Sequence, residues 1–148
     1  MEEFKICSVS DEYIDFLQEK YPNIYSNKVE HRTHTRKYVG TVLNIGGIYY
    51  YVPMSSPKES DYQIAGKSKV IKKSIVPIIR IVVKNANGIK ELKGTLRISH
   101  MIPVPVSELV EYDIDAETEK SAKRRWYELE LHIAFLYREF YNNYHIKC

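Results

Sequence analysis

Cysteine is nearly absent from this chain of 148 residues: only Cys7 and Cys148 occur. Two cysteines are too few for a disulfide scaffold, and neither stands in a metal-ligand spacing. Cys7 falls in a strand-like run and reads as a small core residue. Long apolar runs are also missing. Nothing approaches the ~18 consecutive apolar residues that a membrane helix needs. The opening Met1-Glu2-Glu3-Phe4 has neither the basic nor the apolar region of a secretory signal, so the expected location is the cytoplasm. No G-x-x-x-x-G-K-[ST] is present, which excludes nucleotide hydrolysis through a P-loop. Histidines 31, 34, 100, 132 and 145 show no HExxH or C-x-x-C partner spacing. His31-x-x-His34 has no supporting carboxylates, so no metal site and no cofactor are expected. Internal repeats and low-complexity segments are lacking too, and 1–148 reads as one domain with a real core.

A large charge excess is likewise missing. Net charge is +3 with a pI near 8.7, modest for a nucleic-acid binder. The distribution says more. Lys28, His31, Arg32, His34, Arg36 and Lys37 stand against a single Glu30. Lys67, Lys69, Lys72 and Lys73 form a second basic segment with no acid, while acids gather at 108–119. Tyrosine is abundant, with 13 copies. Most fit half-buried strand positions. Tyr25, Tyr62 and Tyr144 lie in polar surroundings, where an aromatic beside a cation is able to stack on an unpaired base.

Periodicity organises the rest. Phe4 to Val9 alternates as a strand. Ser10 or Asp11 caps a helix through Tyr13, Ile14, Phe16, Leu17 and Tyr21, which Pro22 ends. Residues 22–35 read as a long loop. A hairpin is expected over 37–52, turning at Gly46-Gly47, where positive φ is free, with Pro53 ending its ladder. Residues 53–74 read as irregular. Ile75 to Val83 is β-forming, with Pro77 placing it at a sheet edge or strand start. Leu92 to Ile98 is the next strand, and Met101 to Val106 is extended. Thr118 or Asp115 caps a helix to about Asn142, with Ala122, Trp126, Leu129, Ile133, Leu136 and Phe140 as its apolar stripe.

The chemistry concentrates at Arg36 to Lys58, RKYVGTVLNIGGIYYYVPMSSPK. Its end, Ser55-Ser56-Pro57-Lys58, holds two hydroxyls and an ammonium in four residues. Pro57 stiffens the loop by fixing its own φ. Ser55-x-x-Lys58 also matches the Ser-x-x-Lys of penicillin-binding enzymes, but the partner Ser-Asp-Asn is absent and Lys93-Gly94-Thr95 has the wrong order. A stiff loop of Ser, Ser and Lys beside Arg36 and Lys37 suits a phosphate diester. Strand alternation aims one of Arg36 and Lys37 at the site and leaves open which.

This block, with the opening strand and helix, Ser99-His100-Met101-Ile102-Pro103-Val104 and the closing basic-aromatic helix, resembles the ToxN/AbiQ family, the protein toxins of type III toxin–antitoxin systems; a CptN-like branch stays open. The resemblance implies an α+β fold: a compact, strongly twisted antiparallel β-barrel-like sheet with peripheral helices, similar to the MazF/Kid/PemK toxins. It implies a sequence-specific, metal-independent endoribonuclease that cuts cellular or phage mRNA. The 2′-OH attacks to leave a 2′,3′-cyclic phosphate. A small repetitive pseudoknot RNA, which the enzyme itself processes, acts as antitoxin, in closed rings of alternating protein and RNA. Ser56 and Lys58 are the implied catalytic residues, with Ser55 and with Arg36 or Lys37 as a cation on the phosphate. Arg36 suits charge stabilisation better than proton shuttling. The family's aromatic four positions earlier is Arg32 here, and no general base is assigned. Basic loop 28–37 (Lys28, Arg32, His34), the segment Lys67, Lys69, Lys72 and Lys73, and helix residues Lys123 and Arg124 are expected to hold RNA. The competing readings are a MazF-like ribonuclease toxin held by a protein antitoxin and a non-catalytic RNA-binding module.

Overall fold

Alternating β-branched and aromatic residues, punctuated by glycine turns, produce a structure dominated by antiparallel sheet. The computed structural model describes residues 6–27, 36–75, 77–118, 120, 123, 124, 126–129 and 131. The chain divides into two compact units, Met1–Tyr112 and Asp113–Cys148. In the first, β1 (Ile6–Val9) leads into α1 (Asp11–Lys20), then β2 (Tyr38–Ile45) and β3 (Ile48–Ser55). A small hairpin of β4 (Tyr62–Ala65) and β5 (Ser68–Ile71) follows, and then β6 (Ile78–Lys84), β7 (Lys90–Arg97), β8 (Ile102–Pro103) and β9 (Leu109–Glu111). The main sheet runs β6-β7-β3-β2-β1-β9, with β8 added beside β3, and all its pairings are antiparallel. Among the described residues this path is open, with β6 and β9 as its two ends. The α+β class is as expected; among the described residues the sheet does not close into a barrel.

Local chemistry explains the elements. Ser10 caps α1, its Oγ accepting from the Tyr13 N–H at 3.2 Å. Ile14 and Leu17 from α1 enter a core with Cys7, Val9, Tyr38, Tyr51, Ile102 and Val104. Phe16 and Tyr21 do not join it. Phe16 is half exposed, on a face where Lys20 Nζ sits 5.0 Å from its ring centre. Burial pushes the Cys7 thiol up to about 12, with the charge of Glu111 adding to it, and burial likewise raises the Tyr38 phenol to about 12. The β2–β3 turn is Gly46-Gly47 with φ of 59° and 83°, the positive-φ pair that a tight hairpin demands.

Two expectations change. Pro53 does not end its strand. β3 continues to Ser55, pairing Tyr38 with Pro53 on one side. On its other side Tyr50 and Tyr51 pair with β8, while Met54 and Ser55 pair with β7. Met54 N–H donates toward β2, to the Lys37 carbonyl, so the missing N–H of Pro53 falls on the opposite side, at the gap between β8 and β7. The ring therefore costs no ladder bond. Residues 53–74 are not irregular throughout: β4 and β5 pair from Tyr62–Ile71 to Ala65–Ser68, turning at Gly66 with φ of 66°. Of the first expected strand, Ile6–Val9 is formed, and Phe4 and Lys5 lie outside the described residues; β6 begins at Ile78, just after Pro77 and at the sheet's end, in keeping with the proline's expected place.

In the second unit Asp113 caps a short turn at Ile114–Ala116, and residues 120, 123, 124, 126–129 and 131 are helical. Leu129 is buried and Trp126 half-buried; the other stripe positions lie outside the described residues.

Close packing makes Gly40 irreplaceable in β2. A Cβ there would stand 2.5 Å from Cε1 of the buried Tyr51 ring. Gly40→Ala should destabilise the fold by about 1–3 kcal/mol, read as a lower urea midpoint. An unchanged midpoint would show that the Tyr51 ring yields freely.

Candidate active site

Arg36 stands one residue before Lys37 and two before β2, and its guanidinium ties two chain segments to the end of β3. Its Nε donates to the Ser26 carbonyl at 3.0 Å. Its Nη1 donates to the Met54 carbonyl at 2.9 Å and to Ser55 Oγ at 3.2 Å. The backbone N–H of Arg36 donates to the Asn27 carbonyl at 2.9 Å. The planar cation also lies 4.8 Å from the Tyr25 ring centre, and Tyr25 stacks on His100 at 4.3 Å and 16°. Asn27 is itself buried and fixed, its Nδ2 donating to the Val9 carbonyl and to Asp11.

Lys37 goes elsewhere. Its Nζ sits 4.5 Å from the Tyr112 ring centre, so Arg36 is the member of the pair that reaches Ser55. Ser55 is buried and in register with Thr95 of β7. Ser56, Pro57 and Lys58 then leave the sheet and are exposed. Among the described residues no ion pair involves the Lys58 ammonium. The loop closes in a short turn at Glu59–Asp61, where the buried Asp61 carboxylate accepts from the Lys58 N–H at 2.9 Å.

The basic segments distribute unevenly. Lys67 is exposed at the β4–β5 turn. Lys69 pairs with both oxygens of Glu59 at 2.8–2.9 Å and lies 4.8 Å from the Tyr62 ring centre. Both partners are well exposed, so the pair contributes about 0–1 kcal/mol and yields readily to another anion. Lys72 is half-buried, its N–H donating to the Asp61 carbonyl, and the carbonyl of exposed Lys73 takes the Arg80 Nη1. In the second unit, Lys123 donates to the Asp115 carbonyl at 3.3 Å and Arg124 is exposed. Lys28, Arg32 and His34 lie outside the described residues. Among the described residues no three His, Cys, Asp or Glu side chains converge.

Sequence reasoning assigned no role to His100 or Asp61. His100 was visible only as part of the Ser99–Val104 motif; its stack on Tyr25 joins positions 75 residues apart. Asp61 carries no local signal, since its ion-pair partner Arg80 is 19 residues away.

Chemically, the arrangement is a fixed cation and a buried hydroxyl at the sheet end, followed by an exposed hydroxyl and an exposed ammonium on a braced loop. Such a set is chemically suited to binding and polarising a phosphate diester. The family model for the ToxN toxin of type III toxin–antitoxin systems matches residues 5–135. The chain belongs to that family. It is 32% identical over 114 residues to endoribonuclease ToxN of Bacillus thuringiensis subsp. kurstaki, covering 77% of this chain and 50% of that protein. It is 31% identical over 118 residues to endoribonuclease AbiQ of Lactococcus lactis subsp. lactis, covering 78% of this chain and 59% of that protein. The chain thus spans little more than half the length of these relatives. A solved structure of a bacterial type III toxin, inhibited selectively by a non-coding RNA pseudoknot, shares the fold with a TM-score of 0.69 at 24% identity, covering 95% of this chain and 75% of that one.

The different placements of Arg36 and Lys37 are testable by stability alone. Arg36→Gln should cost about 1–3 kcal/mol, the range for a lost charge-assisted hydrogen-bonding group. Lys37→Gln, which leaves the contacts to Met54 and Ser55 in place and removes the cation–π contact with Tyr112, should cost less than Arg36→Gln. Urea unfolding of both variants checks this, and equal losses would contradict the assignment.

Proposed function

We propose that this chain is a metal-independent endoribonuclease, the toxin of a type III toxin–antitoxin system, acting on single-stranded cellular or phage mRNA in the cytoplasm. The observation that carries this reading is the Arg36 guanidinium held 3.2 Å from Ser55 Oγ at the root of the exposed Ser56-Pro57-Lys58 loop. RNA brings its own nucleophile, a 2′-OH held close to phosphorus by the chain itself. The protein's task is to align that hydroxyl, stabilise the charge that develops on the phosphorus oxygens and help the 5′-oxygen leave. Arg36 and Lys58 supply fixed positive charge to the non-bridging oxygens, usually the largest single contribution to such a reaction. Ser56 orients the 2′-OH or donates to the phosphate, and Ser55 passes its orientation from Arg36. Tyr25, backed by His100, offers a face beside the cation for an unpaired base.

The inhibitor that fits this reading is a small repetitive RNA folded as a pseudoknot, which the toxin processes and with which it closes alternating rings. The solved type III toxin inhibited by a non-coding RNA pseudoknot supports it, as do the basic segments. Lys67, Lys69 and Lys73 on and beside the β4–β5 hairpin, and separately Lys123 and Arg124, contact RNA phosphates. Lys28, Arg32 and His34 are assigned the same role from sequence. Abortive infection of phage-infected cells is the setting this activity implies.

In excess EDTA the wild-type protein should cut an unstructured RNA at an undiminished rate. Ser56→Ala and Lys58→Ala should fold normally, since both side chains are exposed, and each should lose ~10²–10³ in rate. Cleavage that vanishes with EDTA and returns with magnesium would overturn the mechanism. Full activity in either variant would remove that residue from the site.

A further inference from the structure

Beneath the exposed loop lies a carboxylate with almost no contact with water. Asp61 is 1% exposed, and its two oxygens divide their work. Oδ2 accepts from the Lys58 N–H at 2.9 Å. Oδ1 accepts from Arg80 Nε of β6 at 3.1 Å and lies 3.8 Å from Arg97 Nη2 of β7. The backbone of the same residue is used at both ends: its N–H donates to the Lys58 carbonyl, and its carbonyl takes the Lys72 N–H that follows β5. Arg80 and Arg97 are only 8% and 13% exposed along their side chains.

Three buried charges are an expensive way to hold a loop. Well-packed apolar residues of the same volume stabilise as well or better. What the charges add is a single geometry. Ser55 is fixed at one end of the loop by β7 and Arg36, and Lys58 is fixed at the other by Asp61. Between them lie Ser56 and Pro57, the latter with its φ locked.

We propose that Asp61 is a positioning residue for catalysis: by tying the Lys58 backbone to the β6–β7 pair, it sets where the Lys58 ammonium and the Ser56 hydroxyl stand relative to Arg36. This rests on the ribonuclease reading of the loop. Asparagine cannot replace it. A carboxamide has one acceptor oxygen where Asp61 uses two, so its NH2 must face either the Lys58 N–H or the Arg80 guanidinium, donor against donor.

Two measurements on the full chain test this, one without RNA. In Asp61→Asn the Lys58 amide should lose its protection from hydrogen exchange while the β6–β7 amides keep theirs. With an unstructured RNA, kcat should fall about 10²-fold, the penalty of a misplacement near 1 Å, with KM little changed. Introduced into Lys58→Ala, the same substitution should add a smaller loss than it causes in the wild type, because one of the two groups it positions is already removed. Unchanged protection at Lys58, or rate losses that multiply independently, would overturn the proposal. Should Lys58→Ala cut RNA like the wild type, the ribonuclease reading of the loop falls instead, and the exchange result alone decides for or against Asp61. If Asp61→Asn does not fold, Arg80→Lys carries the same two measurements. It keeps the buried positive charge but loses the Nε–Oδ1 contact, and the same pattern is expected with smaller losses.

Discussion

The Arg36 guanidinium bridges the Ser26 carbonyl, the Met54 carbonyl and the Ser55 hydroxyl, and the site is built on that bridge. A guanidinium is suited to this because its donors are planar and fixed and its charge is permanent. It joins the segment after α1 to the last turn of main chain in β3, where the sheet ends and the exposed loop begins. Removing it would separate Tyr25 from Ser55 and leave buried oxygens without donors. Arg36 thus acts both as a structural joint and as the cation nearest the buried hydroxyl.

The β3 strand delivers the loop to this joint. Its first half pairs with β8 and its last two residues with β7, so Ser55 is held in the sheet interior while Ser56 leaves it. Pro53 occupies the one position where a strand bounded on both sides tolerates a missing donor. The loop then returns to a buried carboxylate. A short exposed segment is held at both roots, which is how a flexible serine and a flexible lysine are given defined places with little further loss of freedom.

Much of the fold was legible in the sequence, because its signals are local. The Ser10 cap, the Gly46-Gly47 turn and the edge position implied by Pro77 each follow from one or two residues. The β4–β5 hairpin was missed although Ala65-Gly66-Lys67-Ser68 is a tight turn: the lysines around it masked the weak alternation of Gln63, Ile64, Lys69 and Val70. The continuation of β3 through Pro53 depends on a change of partner strand, which no local rule reports. At the site, Ser55, Ser56, Lys58 and Arg36 were readable as a cluster because they flank one hairpin. The separate placements of Arg36 and Lys37 needed Tyr25 and Tyr112, and the brace at Asp61 needed Arg80. Those partners come from distant segments, and sequence spacing carries no trace of them.

Family membership and the geometry of the loop meet in one chemical claim: the RNA supplies its own nucleophile, and the protein supplies position and charge. The ends left by cleavage test that claim most directly. Mass spectrometry of fragments from a defined single-stranded RNA should find a 2′,3′-cyclic phosphate on one product and a 5′-hydroxyl on the other. A 3′-hydroxyl paired with a 5′-phosphate would mean attack by water from outside the RNA chain, and would contradict the account.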